Sequence, residues 1–263
     1  MSLLEYHIGI VMYIDVVFNP YELSSRGDIS EKSVIVIDVL RATSTIVYAF
    51  WGYRVNGMDG LLGCSKIIPV ETIEEARKFA GEEVLLAGER NCLKPEGFDL
   101  GNSPSEYTPD KIQGNTIIFT TTNGTRALKL AKNAKFVTTG SFINATACID
   151  KTFKKQNDVL ILCAGRSNKT TKEDTACAGL IAGQLVKRCQ ENDMESDLSD
   201  AADIAIKFFN HYKPNIQELF RTSEAGRHLM DVNLGKDLKD CSLIDLLAVT
   251  TEFKNGYITG EFL

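Results

Sequence analysis

Four apolar runs in this chain turn abruptly polar, and each turn carries an arginine. Val34-Ile35-Val36-Ile37 leads into Asp38 and Arg41, and Val84-Leu85-Leu86-Ala87 into Glu89 and Arg90. Thr116-Ile117-Ile118-Phe119 leads into Thr121-Thr122-Asn123-Gly124-Thr125-Arg126, and Val159-Leu160-Ile161-Leu162 into Gly165 and Arg166, with Glu173 and Asp174 close behind. Short β-branched runs of this kind read as strands buried on both faces. In an open α/β sheet, ligands bind in the crevice at the carboxyl ends of the strands. Guanidinium groups delivered there match oxyanions. Carboxylates beside them can hold a hard cation such as Mg2+, which usually keeps several waters. The chemistry suggested is an anion site, with or without a metal ion.

Each feature has a plainer alternative. Residues 121–126 combine hydroxyls, a glycine and a helix start, which suits a phosphate cradle. They lack the Gly-x-x-x-x-Gly-Lys spacing of a P-loop, and an Asn-Gly turn with a Thr cap reads equally well. Asp38 could hold Mg2+ or accept a phosphoryl group, but no second Asp follows two residues on, and an Asp–Arg pair at the sheet edge is the plainer reading. Glu89-Arg90 follows the same logic. Glu173 reads as a helix cap, which leaves Asp174 the better metal-ligand candidate. Cys163 lacks the arginine six positions on that a cysteine phosphatase loop needs, since position 169 is Lys169; it and Cys177 read as small packed thiols. The three histidines, His7, His211 and His228, lie outside these loops, so carboxylates, a metal and arginines must carry the chemistry.

To position these residues, strands are expected at 13–18, 34–37, 67–70, 84–87, 116–119, 135–138 and 159–162. Helices are expected at 44–50 (ended by Gly52), after the Thr72–Glu75 capping box with Ala76, Phe79 and Ala80 on one face, at 126–132, 144–151 and 171–189, and on the face Leu198, Ala201, Ile204, Ala205, Phe208 and Tyr212. Thr170 and Glu173 read as the capping box of the long helix. Residues 91–115 form a polar connection long enough to be functional. The acidic stretch 191–197 reads as a solvated connection, and the tail after Asn215 as a helix-rich cap. Alternating strands and helices predict an α/β fold with a mainly parallel sheet covered on both faces.

The 263 residues suffice for one large domain. Residues 1–11 are expected to be an extension and 12–263 a single domain. A net charge of −6 gives no basic footprint for nucleic acid. Seven cysteines, an odd number without Cys-x-x-Cys spacing, point to a reducing cytoplasm. No apolar run suggests a membrane helix, and the first residues lack a signal-peptide pattern. Phe253, Tyr257, Ile258 and Phe262 could cover the core or a partner, so a homodimer is entertained.

Five segments in this order resemble the 2-phosphosulfolactate phosphatases, the ComB family of coenzyme M biosynthesis. They are Val36-Ile37-Asp38-Val39-Leu40-Arg41-Ala42-Thr43, Ala87-Gly88-Glu89-Arg90, Gly97-Phe98-Asp99-Leu100-Gly101-Asn102-Ser103-Pro104, Thr121-Thr122-Asn123-Gly124-Thr125-Arg126 and Glu173-Asp174-Thr175-Ala176-Cys177-Ala178-Gly179. The resemblance runs over most of the chain and implies a ComB-like three-layer α/β/α fold with a helix-rich C-terminal part. It implies Mg2+-dependent hydrolysis of (2R)-2-phospho-3-sulfolactate to 3-sulfolactate and phosphate, with tolerance of other phosphorylated 2-hydroxy acids. On this reading Asp38, Arg41, Glu89, Arg90 and Asp174 are catalytic, and Asp38, Glu89 and Asp174 hold Mg2+ directly or through water. Asn102, Ser103, Thr121, Thr122, Asn123, Gly124, Thr125, Arg126, Asn144, Gly165 and Arg166 bind the small polyanionic substrate. Attack by water and attack by Asp38 through a phosphoaspartate both remain open. The rivals are a phosphatase for another phospho-acid and a non-catalytic binding protein for a phosphorylated or sulfonated acid.

Overall fold

The computed structural model describes residues 11–51, 63–79, 81 and 83–262. In chain order the elements are β1 (Val11–Val17), β2 (Ser33–Ile37), α1 (Ala42–Trp51), β3 (Lys66–Val70), α2 (Ile73–Arg77), β4 (Val84–Gly88), α3 (Pro109–Ile112), β5 (Thr116–Thr120), α4 (Gly124–Ala131) and β6 (Phe136–Gly140). They continue with α5 (Ala145–Phe153), β7 (Val159–Cys163), α6 (Lys172–Glu191), β8 (Glu195–Leu198), α7 (Asp200–Tyr212), α8 (Ile216–Thr222), α9 (Glu224–Asp231), α10 (Lys236–Cys241), β9 (Val249–Lys254) and β10 (Tyr257–Phe262).

These strands form two five-stranded sheets. One is parallel throughout, in the order β6-β2-β7-β1-β8. The other runs β4-β5-β3-β10-β9, parallel across its first three strands and antiparallel beyond. Side chains alternate between the faces of a strand, and that alternation assigns the layers. Val34, Val36, Leu160 and Leu162 pack with Ile46 and Phe50 of α1, Leu128 of α4, and Ile67, Ile117 and Ile258 of the second sheet. Ile35, Ile37, Ile161 and Cys163 point the other way, onto Ile149 of α5, Ile181 of α6 and Phe209 of α7. The parallel sheet therefore has helices on both faces, the α/β arrangement expected, and the second sheet closes over α1 and α4 as an added layer. Sandwiched so, α1 buries eight of its ten residues. The polar ones are satisfied: Thr43, Ser44 and Thr45 donate their hydroxyls to the carbonyls of Asp38, Val39 and Asn102.

The sheets meet where β6 lies beside β9. Thr251 Oγ1 accepts from the Thr139 amide at 2.9 Å and lies 2.8 and 3.2 Å from the hydroxyls of Thr139 and Thr138. Side chains rather than a strand ladder make that join, with Asn144 Nδ2 also donating to the carbonyls of Thr139 and Val249.

Several details differ from expectation. The first strand already holds Val11; residues 1–10 (with His7), the Gly52 helix stop and Ala80 lie outside the described residues. The acidic 191–197 stretch is not wholly a connection. Glu195–Leu198 alternates in burial and pairs in parallel with β1, taking Leu198 out of the following helix. Thr171, not Thr170, precedes α6, and its side chain makes no capping bond. Thr72 does cap α2, accepting from the Glu75 amide. The tail holds three helices and then the hairpin β9–β10, whose turn Asn255-Gly256 has φ of 53° and 85°, as a two-residue type I′ turn requires. Phe253 and Ile258 are in the core, whereas Tyr257 and Phe262 are exposed.

Candidate active site

Both sheets contribute strand ends to one cleft. Asp38 follows β2 and Gly165-Arg166 follow β7, neighbours in the parallel sheet. Glu89 follows β4 and Thr122-Asn123 follow β5, neighbours in the mixed sheet. Together they line a cleft of about 130 Å³ with Arg41, Asn102, Glu173 and Asp174. Two glycines permit the convergence. Gly88 has φ of +135°, and a Cβ there would lie 1.9 Å from the Thr120 carbonyl oxygen; glycine lets β4 approach β5 while the chain turns Glu89 inward. A Cβ on Gly124 would meet Ala42 Cβ at 2.6 Å and Asp38 Oδ2 at 2.7 Å, so only glycine lets α4 start against Asp38.

The carboxylates act first on the loops. Glu89 Oε1 accepts from the Thr122 amide and hydroxyl at 2.8 and 2.9 Å, and Oε2 from the Cys92 amide at 2.8 Å. Asp174 Oδ1 accepts from Val39 N at 2.9 Å and Oδ2 from Gly165 N at 3.1 Å, tying the start of α6 to the ends of β2 and β7. Asp38 Oδ1 accepts from Ala42 N at 3.3 Å, while its Oδ2 takes no hydrogen bond among the described residues. Glu173 Oε2 and Asn102 Oδ1 are buried without a partner.

Arg41 is 3 % exposed. Its Nη1 donates to Ser103 Oγ at 3.0 Å and to Asp237 Oδ2 at 2.6 Å, and its Nη2 to the Cys92 carbonyl at 2.7 Å. Arg166 lines the cleft, and its guanidinium makes no hydrogen bond or ion pair among the described residues; only its main chain is held, by paired bonds with Lys169.

Other anticipated residues lie outside the lining. Arg90 turns back to the sheet, donating to the carbonyls of Glu89 and Glu71 and to Thr120 Oγ1. Arg126 is exposed, near Asn168 and over the Tyr21 ring. Thr121 and Thr125 exchange hydrogen bonds with each other around the turn, and Gly124 packs behind Asp38. Ser103 sits behind Arg41. Asn144 is buried elsewhere, accepting from Ser141 and donating to the carbonyls of Thr139 and Val249. Cys163 is fully buried, and burial pushes its thiol well above the usual range, as a packed thiol should be.

Residues that sequence reasoning passed over also reach the site. Glu173, read as a cap, is 2 % exposed and lines the cleft. Placing the cap one residue later, at Thr171, would have released it from that role. Asn91 and Cys92 line the cleft, both in left-handed backbone that brings Cys92 N to Glu89. Asp237 lies 196 residues from its partner Arg41, and nothing local in Lys236-Asp237 marks it.

The buried acids repel one another. Burial first, and then the Asp174 charge, push Asp38 well above the ordinary carboxylate range. The same causes in the same order raise Glu173 to about 7. Burial raises Asp174 to about 6 against the lowering pull of the Val39 and Gly165 amides. Among the described residues no group of three or more His, Cys, Asp or Glu is arranged to hold a metal ion by itself.

A parallel α/β core with a strand-end cleft where arginines face buried carboxylates has the groups to take an oxyanion together with a cation. The family model described as 2-phosphosulpholactate phosphatase matches residues 18–256. A probable 2-phosphosulfolactate phosphatase of Thermotoga petrophila is 40% identical over 232 residues, 88% of this chain and 93% of the relative. Relatives so named from Caldanaerobacter subterraneus subsp. tengcongensis and Clostridium tetani are 37% and 36% identical, covering 92% and 94% of this chain and 95% and 100% of their own lengths. The chain belongs to the 2-phosphosulpholactate phosphatase family.

Proposed function

We propose that this chain hydrolyses (2R)-2-phospho-3-sulfolactate to 3-sulfolactate and phosphate, the reaction type of coenzyme M biosynthesis, with Mg2+ as cofactor. The observation that carries the reading is the coexistence in one small cleft of Arg41 and Arg166 with four buried acids, Asp38, Glu89, Glu173 and Asp174. An anion alone would be repelled by those acids, and a cation alone by the arginines; a phosphate ester bridged to a divalent cation satisfies both.

The free oxygens suit that cation. Among the described residues, Glu173 Oε2 and Asn102 Oδ1 are buried hard oxygens without hydrogen-bond partners, and Asp38 accepts only through Oδ1, leaving Oδ2 free. Glu89 and Asp174 oxygens already accept N–H or O–H bonds and would meet the ion through a second lone pair or through water. Mg2+ typically uses one or two carboxylates, waters and substrate oxygens, so a preformed cage of three acids is not required. When bound it would neutralise phosphoryl charge in the transition state. Arg41 orients the phosphoryl oxygens with the donors it has left, Thr122 and Asn123 wall the cleft, and Arg166, whose guanidinium has no partner among the described residues, offers it to a second anionic group on the ester. Seven free thiols support a reducing, cytoplasmic setting.

Phosphate release from 2-phospho-3-sulfolactate is measured with Mg2+ and with EDTA. Metal-dependent turnover that Asp38→Asn reduces by about a thousandfold or more is expected. Tight binding without release would favour a binding protein, and faster release from a phospho-acid lacking the sulfonate would reassign the substrate.

A further inference from the structure

We propose that Asp237, brought into the molecule by α10, is a positioning residue that sets the orientation of the Arg41 guanidinium. This role rests on the phosphate-ester reading of the cleft. Asp237 does not line the cleft and can act there only through Arg41. The two form an ion pair at 2.6 Å with side-chain exposures of 2% and 3%. Ser103 closes a ring, accepting from Arg41 Nη1 at 3.0 Å and donating to Asp237 Oδ2 at 2.7 Å. The Cys92 carbonyl holds Nη2. Three separate segments thus fix the plane of one guanidinium. Of its five N–H donors, three are used and two remain for a ligand.

A buried ion pair is weak evidence of added stability, because desolvation offsets the attraction. The ring is better explained by orientation. A guanidinium on a flexible side chain is useful to a phosphoryl group only when its plane is already set. Asp237 also removes the cost of a lone buried cation, so Arg41 can stand in the cleft before substrate arrives.

Asp237→Asn, Asp237→Glu, Arg41→Lys and the Asp237→Asn/Arg41→Lys double variant form the test. Readouts are the Kd of inorganic phosphate by calorimetry, kcat and KM separately, and Tm. Asp237→Asn is expected to weaken phosphate binding and lower kcat/KM by about tenfold or more, with kcat falling further than KM rises. Asp237→Glu should recover part of the loss, and Asp237→Asn should add less than about twofold to Arg41→Lys. Effects that multiply in the double variant, or a lowered Tm with Kd and kcat/KM within about twofold of wild type, would overturn the role. Should wild type bind phosphate without turnover, the phosphatase reading falls and the phosphate Kd cycle alone judges Asp237. Should Asp237→Asn not fold, Ser103→Ala takes its place; it must weaken phosphate binding in wild type but not in Arg41→Lys, and the opposite result refutes the ring.

Discussion

Glu173 shows how a single residue reports on the cleft. Its carboxyl is buried beside Asp174 with Oε2 unpartnered, and it holds its proton up to about 7 against an ordinary 4.5. Between those pH values the folded chain binds a proton that the unfolded chain has released. Stability therefore falls as pH rises from about 4.5 to 7, and the penalty is complete above that. In EDTA-containing buffer, Glu173→Gln is expected to raise Tm at pH 8 by a few degrees, with the gain shrinking to nothing near pH 4.5; thermal unfolding across pH checks this. Unchanged Tm at pH 8 would mean that Glu173 is solvated in solution. The residue types for this chemistry were plain in the sequence, but which acid kept a free oxygen was not. Glu89 and Glu173 look alike in one dimension and differ only in the amides that fold against them.

At the scale of elements, the strand-end loops were legible because a β-branched run broken off by charge suits a buried strand and little else. The 121–125 loop shows the limit. Its hydroxyls looked suited to phosphate, yet those of Thr121 and Thr125 bond within the turn, a competition to which threonine is prone near helix starts. Thr122 and Asn123 reach the cleft instead. The start of α4 is set by contact with α1. Gly124→Ala would place its Cβ 2.6 Å from Ala42 Cβ and 2.7 Å from Asp38 Oδ2. It is expected to cost about 1–3 kcal/mol, read by urea unfolding, and to lower turnover with it by displacing Asp38. Stability and kcat/KM both near wild type would show that the contact relaxes freely.

For the whole molecule, the decisive feature is that the site straddles two sheets. Asp38, Gly165 and Arg166 come from the parallel sheet and Glu89, Thr122 and Asn123 from the mixed one, so the cleft depends on how the sheets are held. The Thr251 bridge to Thr139 is part of that hold. Thr251→Val keeps the shape but leaves the buried Thr139 amide without an acceptor. A loss of about 1–3 kcal/mol is expected, seen as a lower urea midpoint at unchanged slope. An unchanged midpoint would mean that other packing carries the join.

The sequence by itself determined the α/β class, the first seven strands and most helix cores, because burial pattern and cap chemistry act over a few neighbouring residues. It also determined the supply of acids and arginines at the strand ends. The Asn255-Gly256 hairpin signal is present as well, within a tail whose pattern reads as a helix-rich cap and which holds three helices before the hairpin. Only the tertiary structure decided that the strands split into two sheets and that Arg90 and Arg126 face away while Arg166 faces in. The same holds for the meeting of Asp237 with Arg41 across 196 residues. Side-chain direction and long-range pairing follow from the packing of distant segments, which no local pattern of residue types encodes.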